Sequence, residues 1–208
     1  MTRSRKLALI DTVMTIAVLL AWLYMIFFGR GALTTTGLQT LQYFTVDSNL
    51  LMGVSALICA RYEWRDELEQ LPRWVRALRL TATSAVMLTF WVVVLFLGPL
   101  WGFSGMYLGA NIAFHLLVPL AAIASFCAFR LARPLPASST LWGIVPMLAY
   151  GIYYVVRINI MGPAGDFYGF LYLGGGSIPF VLLIMMAVSL VLSVATWFVG
   201  GGRLRRRA

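Results

Sequence analysis

The chain reads as an all-α integral membrane bundle, a single domain (residues 1–208) of six transmembrane helices, and three observations predict it. Of its 208 residues 61% are hydrophobic, and the mean hydropathy is +0.88. A soluble domain of this size cannot hide that much apolar surface. Apolar runs of roughly the ~20 residues needed to cross a hydrocarbon core recur along the whole chain. None alternates as a barrel strand would, and in lipid the backbone must satisfy its own hydrogen bonds, so helices are expected.

The first run, Leu7–Phe28, follows "MTRSRK". It is too long for a signal-peptide core and lacks a small-x-small cleavage site, so it is expected to remain as the first span. The second, Leu38–Ala60, contains "YFTVDSNLL" at Tyr43–Leu51, four polar residues within five positions. The connection "RYEWRDELEQLPRWVRALR" mixes charge with Trp64, Leu68, Leu71, Trp74 and Val75. It reads either as a solvated connector or as a short interfacial helix broken near Pro72. Leu80–Gly98, Tyr107–Phe129, Leu141–Ile158 and Ile178–Val199 complete the six. Before the last span lies "NIMGPAGDFYGFLYLGGGS", Asn159–Ser177, Gly-rich and aromatic, which is expected to fold back as a partial lid.

Charge sets the orientation. Fourteen of the sixteen basic residues fall on one side of these spans, leaving only Arg30 and Arg157 on the other. The positive-inside rule then puts both termini in the cytoplasm. The net charge of +9 is spread between apolar runs, which argues for topology and against nucleic acid. Dinucleotide and P-loop motifs are missing, and one histidine with Cys59 and Cys127 makes no haem or zinc set. The expectation is therefore a protein with no cofactor and no metal. Arg-rich basic usage fits a bacterial chain, hence a bacterial cytoplasmic membrane.

Polar groups inside spans are costly and usually face the bundle interior. They are Asp11, Thr45, Asp47, Ser48, Asn49, Asn111, His115 and Arg157. Counted from the outer ends of their spans, Thr45 and His115 lie at depths of ~10 and ~12 Å. Thr45 shares a helix face with Asn49 and lies near Ser48, Asn111 shares one with His115, and Tyr150, Tyr153, Tyr154 and Arg157 form a third stripe. Asp47 falls on nearly the opposite face from Thr45. Asp11 lies near the cytoplasmic interface, where it stays wet or meets a basic neighbour. Three stripes at similar depth predict one polar cavity open toward the outer leaflet.

A hydroxyl beside a neutral imidazole can attack an acyl carbonyl, with the imidazole taking its proton. Asn49, Asn111 or Arg157 would support the oxyanion, and Asn111 or a backbone carbonyl would hold the second ring nitrogen. Each position also has a structural reading. Thr45 can bond its own helix carbonyl, the Asn and His side chains can link helices, and Arg157 can snorkel. Two functions stay open: an intramembrane lipid-ester hydrolase, and a non-enzymatic lipid-binding or transport protein. Six short spans leave little room for alternating access.

"YFTVDSNLL" together with "NIAFHLLVP", and less tightly "PMLAYGIYYVVR", resembles the androgen-induced / androgen-dependent membrane protein family, in its bacterial branch. The resemblance runs loosely over all six spans. It implies a threonine hydrolase that cleaves lipid esters, such as fatty acid esters of hydroxy fatty acids. Thr45 matches the family's essential threonine, and His115, four residues after Asn111, its essential histidine. Pro119 stands one residue closer to the histidine than in the animal proteins. "DFYGF" replaces their Tyr-Pro pair in the last external loop, which bears on substrate choice.

Overall fold

The computed structural model describes residues 2–29, 35–129, 135–171 and 178–202, and every regular element among them is helical. We label six long segments. They are α1 (Arg3–Phe28), α2 (Phe44–Trp64), α3 (Arg73–Trp101), α4 (a π turn over Ala113–Leu117 continuing as Val118–Phe129), α5 (Ala137–Gly165, α-helical over Val145–Met161) and α6 (Ile178–Val199). Helices α1, α3, α5 and α6 are long and apolar enough to cross a membrane, which marks the chain as a membrane protein.

Several boundaries differ from the sequence reading. The second expected span splits. Gly37–Gln42 is a 3₁₀ turn, Tyr43 is extended, and α2 starts at Phe44. The fourth starts later than Tyr107, because Phe103–Met106 forms its own short turn of helix. The charged connection shrinks to Leu68–Gln70 and its flanks, since Arg73–Arg79 already belong to α3. Pro72 explains that start: it disfavours helix before it and presets the first turn after it.

Helix α3 is the centre of the bundle. Every residue from Arg79 to Thr89 is buried, as expected of a helix packed on all sides. On one side it meets α1, α2 and α4 through a core that includes Met14, Val18, Met52, Val86 and Phe114. On the other it meets α5 and α6 through Leu88, Met147, Tyr154 and Leu182. At Gly143 a Cβ would stand 2.3 Å from Ser193 Cβ, so α5 and α6 touch there nearly backbone to backbone. The outward faces are apolar: Leu9, Val13 and Leu20 on α1, Leu183 and Val191 on α6. That surface suits lipid.

The bundle has two distinct ends. At one, Thr2 hydrogen-bonds Asp66, Arg3 Nε donates to the Ala128 carbonyl at 3.1 Å, and Trp197 Nε1 donates to the Leu135 carbonyl at 2.7 Å. The start of α1, the α2–α3 connection, the close of α4, the residues before α5 and the close of α6 therefore gather together. At the other end, Tyr150 donates to the Gln42 carbonyl at 2.7 Å and the Phe44 N–H donates to the Tyr168 hydroxyl at 3.2 Å.

Two helices carry π turns, and proline accounts for both. In α3 the Gly98 N–H reaches back to the Val93 carbonyl, and Pro99 follows; in α4 the Val118 N–H reaches the Ala113 carbonyl, and Pro119 follows. Proline has no N–H for the carbonyl four residues earlier, which would be Leu95 or His115. A wider turn relieves the clash and re-aims the side chains within it.

Candidate functional site

Thr45 lies in the first turn of α2, where Tyr43 breaks the preceding 3₁₀ turn. It lines a cavity of about 60 Å³ between α2, α3, α5 and α6. The walls are mostly apolar; Thr89, Tyr150, Tyr168 and Phe170 join Leu88, Val92, Phe96 and Leu182. Ser48 shares a 3.0 Å hydrogen bond with Thr89. Of the polar residues lining it besides Thr45, which are Thr89, Tyr150 and Tyr168, Thr89 and Tyr168 were not singled out from sequence. A single threonine in an apolar run carries no signal, and a loop tyrosine shows no depth.

His115 sits inside the π turn of α4 and is 2% exposed. Its Nδ1 lies 2.6 Å from the Met106 carbonyl. A carbonyl only accepts, so Nδ1 carries the proton and the ring is held in the tautomer that leaves Nε2 with its lone pair. Nε2 has no hydrogen bond to another described residue. Of the two holders considered from sequence, a backbone carbonyl does the work. Asn111 reaches only the Gly105 carbonyl, at 3.5 Å, and its buried Oδ1 has no partner.

Asn49 joins the two halves. Its Nδ2 donates to the Thr45 carbonyl at 2.7 Å and to the Phe114 carbonyl at 3.2 Å. One amide therefore ties the turn bearing Thr45 to the residue before His115. Both N–H groups are used in this way, so as arranged Asn49 is a clamp and not an oxyanion donor. Among the described residues no hydrogen bond links the Thr45 hydroxyl directly to the His115 ring, and His115 does not line the Thr45 cavity.

The third stripe divides: Tyr150 also lines the Thr45 cavity, while Tyr153 and Arg157 do not. Asp47, Tyr153 and Arg157 line a separate groove of about 1120 Å³ between α2 and α5, together with Gln39, Gln42 and Ser48. Arg157 donates to the Tyr153 hydroxyl at 3.3 Å and stands 5.4 Å from the centre of the Phe167 ring. The single cavity expected from sequence is thus two spaces, with Phe44 and Tyr150 lining both as the wall between them. A second groove of about 970 Å³ shares Leu51, Pro146 and Ala149 with the first and reaches Arg73, Trp74 and Ser139. The gap between α2 and α5 therefore extends along much of the bundle.

The segment after α5 packs over the Thr45 cavity as far as Leu171; the rest of the expected lid, residues 172–177, lies outside the described residues. Asp166, missed in the sequence reading, organises it. Its carboxylate accepts from the Phe170 N–H at 2.9 Å, the Leu171 N–H at 2.7 Å and the Tyr154 hydroxyl. At Gly165 a Cβ would stand 2.9 Å from the Arg157 carbonyl oxygen, so only glycine lets this chain lie so flat on α5. Phe167 and Tyr168 then pack edge-on against Tyr43. Desolvation raises the Tyr168 phenol above its ordinary value, so its hydroxyl stays protonated and able to donate.

No protein-family model matches this chain, and no curated protein or solved structure does.

Proposed function

We propose that the chain is an intramembrane lipid-ester hydrolase of the androgen-induced / androgen-dependent type, with six spans and both termini in the cytoplasm of a bacterial inner membrane. Thr45 is the nucleophile and His115 the base. The observation that carries this reading is the His115 ring: Nδ1–H is spent on the Met106 carbonyl, and Nε2 is left as a free lone pair on a helix clamped by Asn49 to the Thr45 turn. That is the tautomer a general base requires. In the reaction Thr45 Oγ1 attacks the ester carbonyl while its proton passes to Nε2. The imidazolium returns that proton to the leaving alkoxide. Water then attacks the acyl-threonine, giving a proton to Nε2, and the imidazolium passes that proton to Thr45 Oγ1 as the acyl–oxygen bond breaks and the acid leaves.

Tyr168 is the donor best suited to the oxyanion, since its hydroxyl accepts from Phe44 N–H, keeps its own proton and lines the same cavity. A cavity of about 60 Å³ is far smaller than the ~300–1,000 Å³ of ordinary ligand pockets. The substrate therefore enters from the α2–α5 groove and displaces the Phe44–Tyr150 wall, and the same shift brings Nε2 to the hydroxyl directly or through one water. The groove's chemistry suits an amphiphile: Gln39, Gln42 and Arg157 for its polar part, Leu38, Leu51 and Met161 for its chains.

A second reading, non-enzymatic lipid binding, draws on the groove's size and on the missing direct Thr45–His115 bond. Labelling with a fluorophosphonate, alongside hydrolysis of a fatty acid ester of a hydroxy fatty acid, separates the two. The wild type labels, Thr45→Ala does not, and His115→Ala labels weakly, because an unassisted threonine is a poor nucleophile. Full labelling or hydrolysis by folded Thr45→Ala would hand the lead to lipid binding.

A further inference from the structure

At the opposite end of the bundle from Thr45 lies an ionic centre that the hydrolase reading does not use. Asp11 of α1 and Arg79 of α3 are both 0% exposed and form a 2.7 Å ion pair. Ser125 of α4 completes a triangle, accepting from Arg79 at 2.8 Å and donating to Asp11 at 3.0 Å. Glu63, in the last turn of α2, is also 0% exposed. Neither of its carboxyl oxygens has a hydrogen-bond partner among the described residues. Its backbone carbonyl accepts from the Ser4 hydroxyl at 2.6 Å and from the Asp66 N–H at 3.1 Å. One turn earlier on α2, Cys59 packs with Leu7, Leu71 and Val75 at the α1–α2–α3 junction.

Charge counting is decisive. Among the described residues, Asp11 from α1 and Arg79 from α3 are the charged groups that act on Glu63; α4 offers the neutral Ser125, and Cys59 shares Glu63's helix. An arginine stays protonated in proteins, so its one positive charge balances one carboxylate. Asp11 holds it directly. An ionised Glu63 would then be a buried charge without counter-ion or hydrogen bond, which proteins avoid by taking up a proton.

We propose that Glu63 is a reversible proton-binding site, in which the bound proton keeps the Asp11–Arg79–Glu63 centre neutral. The reaction is simple addition: one proton joins the carboxylate and the centre's net charge goes from −1 to zero. Arg79 has a second arrangement ready for the deprotonated state, because its Nε and Nη1 are buried without partners while Nη2 holds Asp11. On proton loss the guanidinium turns toward Glu63, shifting its grip from α1 toward α2. Proton occupancy is thereby coupled to how α1, α2 and α3 pack.

Infrared difference spectroscopy on the full chain in lipid nanodiscs tests this. At neutral pH the wild type shows the carbonyl stretch of a protonated carboxylic acid. Labelling the glutamates with carbon-13 shifts that band, raising the pH removes it, and Glu63→Gln abolishes it at all pH values. Because the folded state holds a proton that the unfolded chain releases, wild-type thermal stability falls as pH rises, and Glu63→Gln flattens that slope. No protonated-acid band at neutral pH overturns the proposal. So does a band that ignores glutamate labelling, which would put the proton on an aspartate. Loss of the band on adding sodium at fixed pH also overturns it, since the ligand would then be a metal cation.

Discussion

Asn49 occupies the most constrained position in the site, because a single amide group satisfies carbonyls on two helices. Asn49→Ala leaves the Phe114 carbonyl without that donor in a dry interior, at a cost of about 1–3 kcal/mol. Asn49→Asp should be worse. A carboxylate cannot donate, and it would face the Thr45 and Phe114 carbonyl oxygens directly. Thermal unfolding in detergent should therefore rank the wild type above Asn49→Ala, and Asn49→Asp lowest; an aspartate variant as stable as the wild type would show that the amide is not a clamp. Helical spacing put Asn49 on the Thr45 face, and the structure agrees. Spacing could not reveal that both its N–H groups are already committed, which is why the sequence suggested an oxyanion donor. The same limit applies to Asn111, placed near His115 by its four-residue offset while Met106, nine residues away and across a turn, holds the ring.

Asp166 organises the segment after α5: two backbone N–H groups and the Tyr154 hydroxyl converge on its carboxylate, beside the bond from the Phe44 N–H to the Tyr168 hydroxyl. Asp166→Ala removes all three bonds at once and frees Tyr168 and Phe170 from the Thr45 cavity. Backbone hydrogen exchange at Phe170 and Leu171 should speed up markedly, and fluorophosphonate labelling should fall although Thr45 and His115 are untouched. Unchanged exchange would mean that the rings, and not the carboxylate, hold the segment down. That the segment folds back onto the bundle, seen as far as Leu171, was legible from its glycines and aromatics, but its organiser was not. An aspartate after Pro-Ala-Gly looks like any turn residue until its partners are known. The π turns were hidden for a related reason. Apolar spacing continues smoothly through "VVLFLGP" and "AFHLLVP", and only the proline behind each run hints that the backbone must widen there.

Across the bundle, hydropathy made the apolar runs visible and blurred the helix carrying the most chemistry. α2 falls outside the apolar, membrane-length set: it carries Asp47 and Arg61 besides a buried polar stripe that includes Thr45, Ser48, Asn49 and Ser55. Arg79 was counted with the basic connection, since "RWVRALR" reads as a charged flank; in the structure it is the largest fully buried side chain, neutralised by Asp11. It thus cannot act as a topology signal. The remaining basic residues still divide unevenly. Arg3, Arg5, Lys6, Arg61, Arg65, Arg73 and Arg76 lie at the end where Thr2 meets Asp66, and Arg157 lies with the Thr45 site at the other. Under the positive-inside rule the first end is cytoplasmic. Cysteine-accessibility scanning in intact cells should then protect Glu67→Cys and Gln70→Cys from an impermeant reagent, and label Gly102→Cys and Ala164→Cys, Gln70, Gly102 and Ala164 being exposed. If the pattern is reversed, Thr45 and His115 sit in the cytoplasmic half, and the Glu63 centre faces the other compartment. The substrate would then enter from the cytoplasmic leaflet, and Glu63 would take its proton from outside the cell.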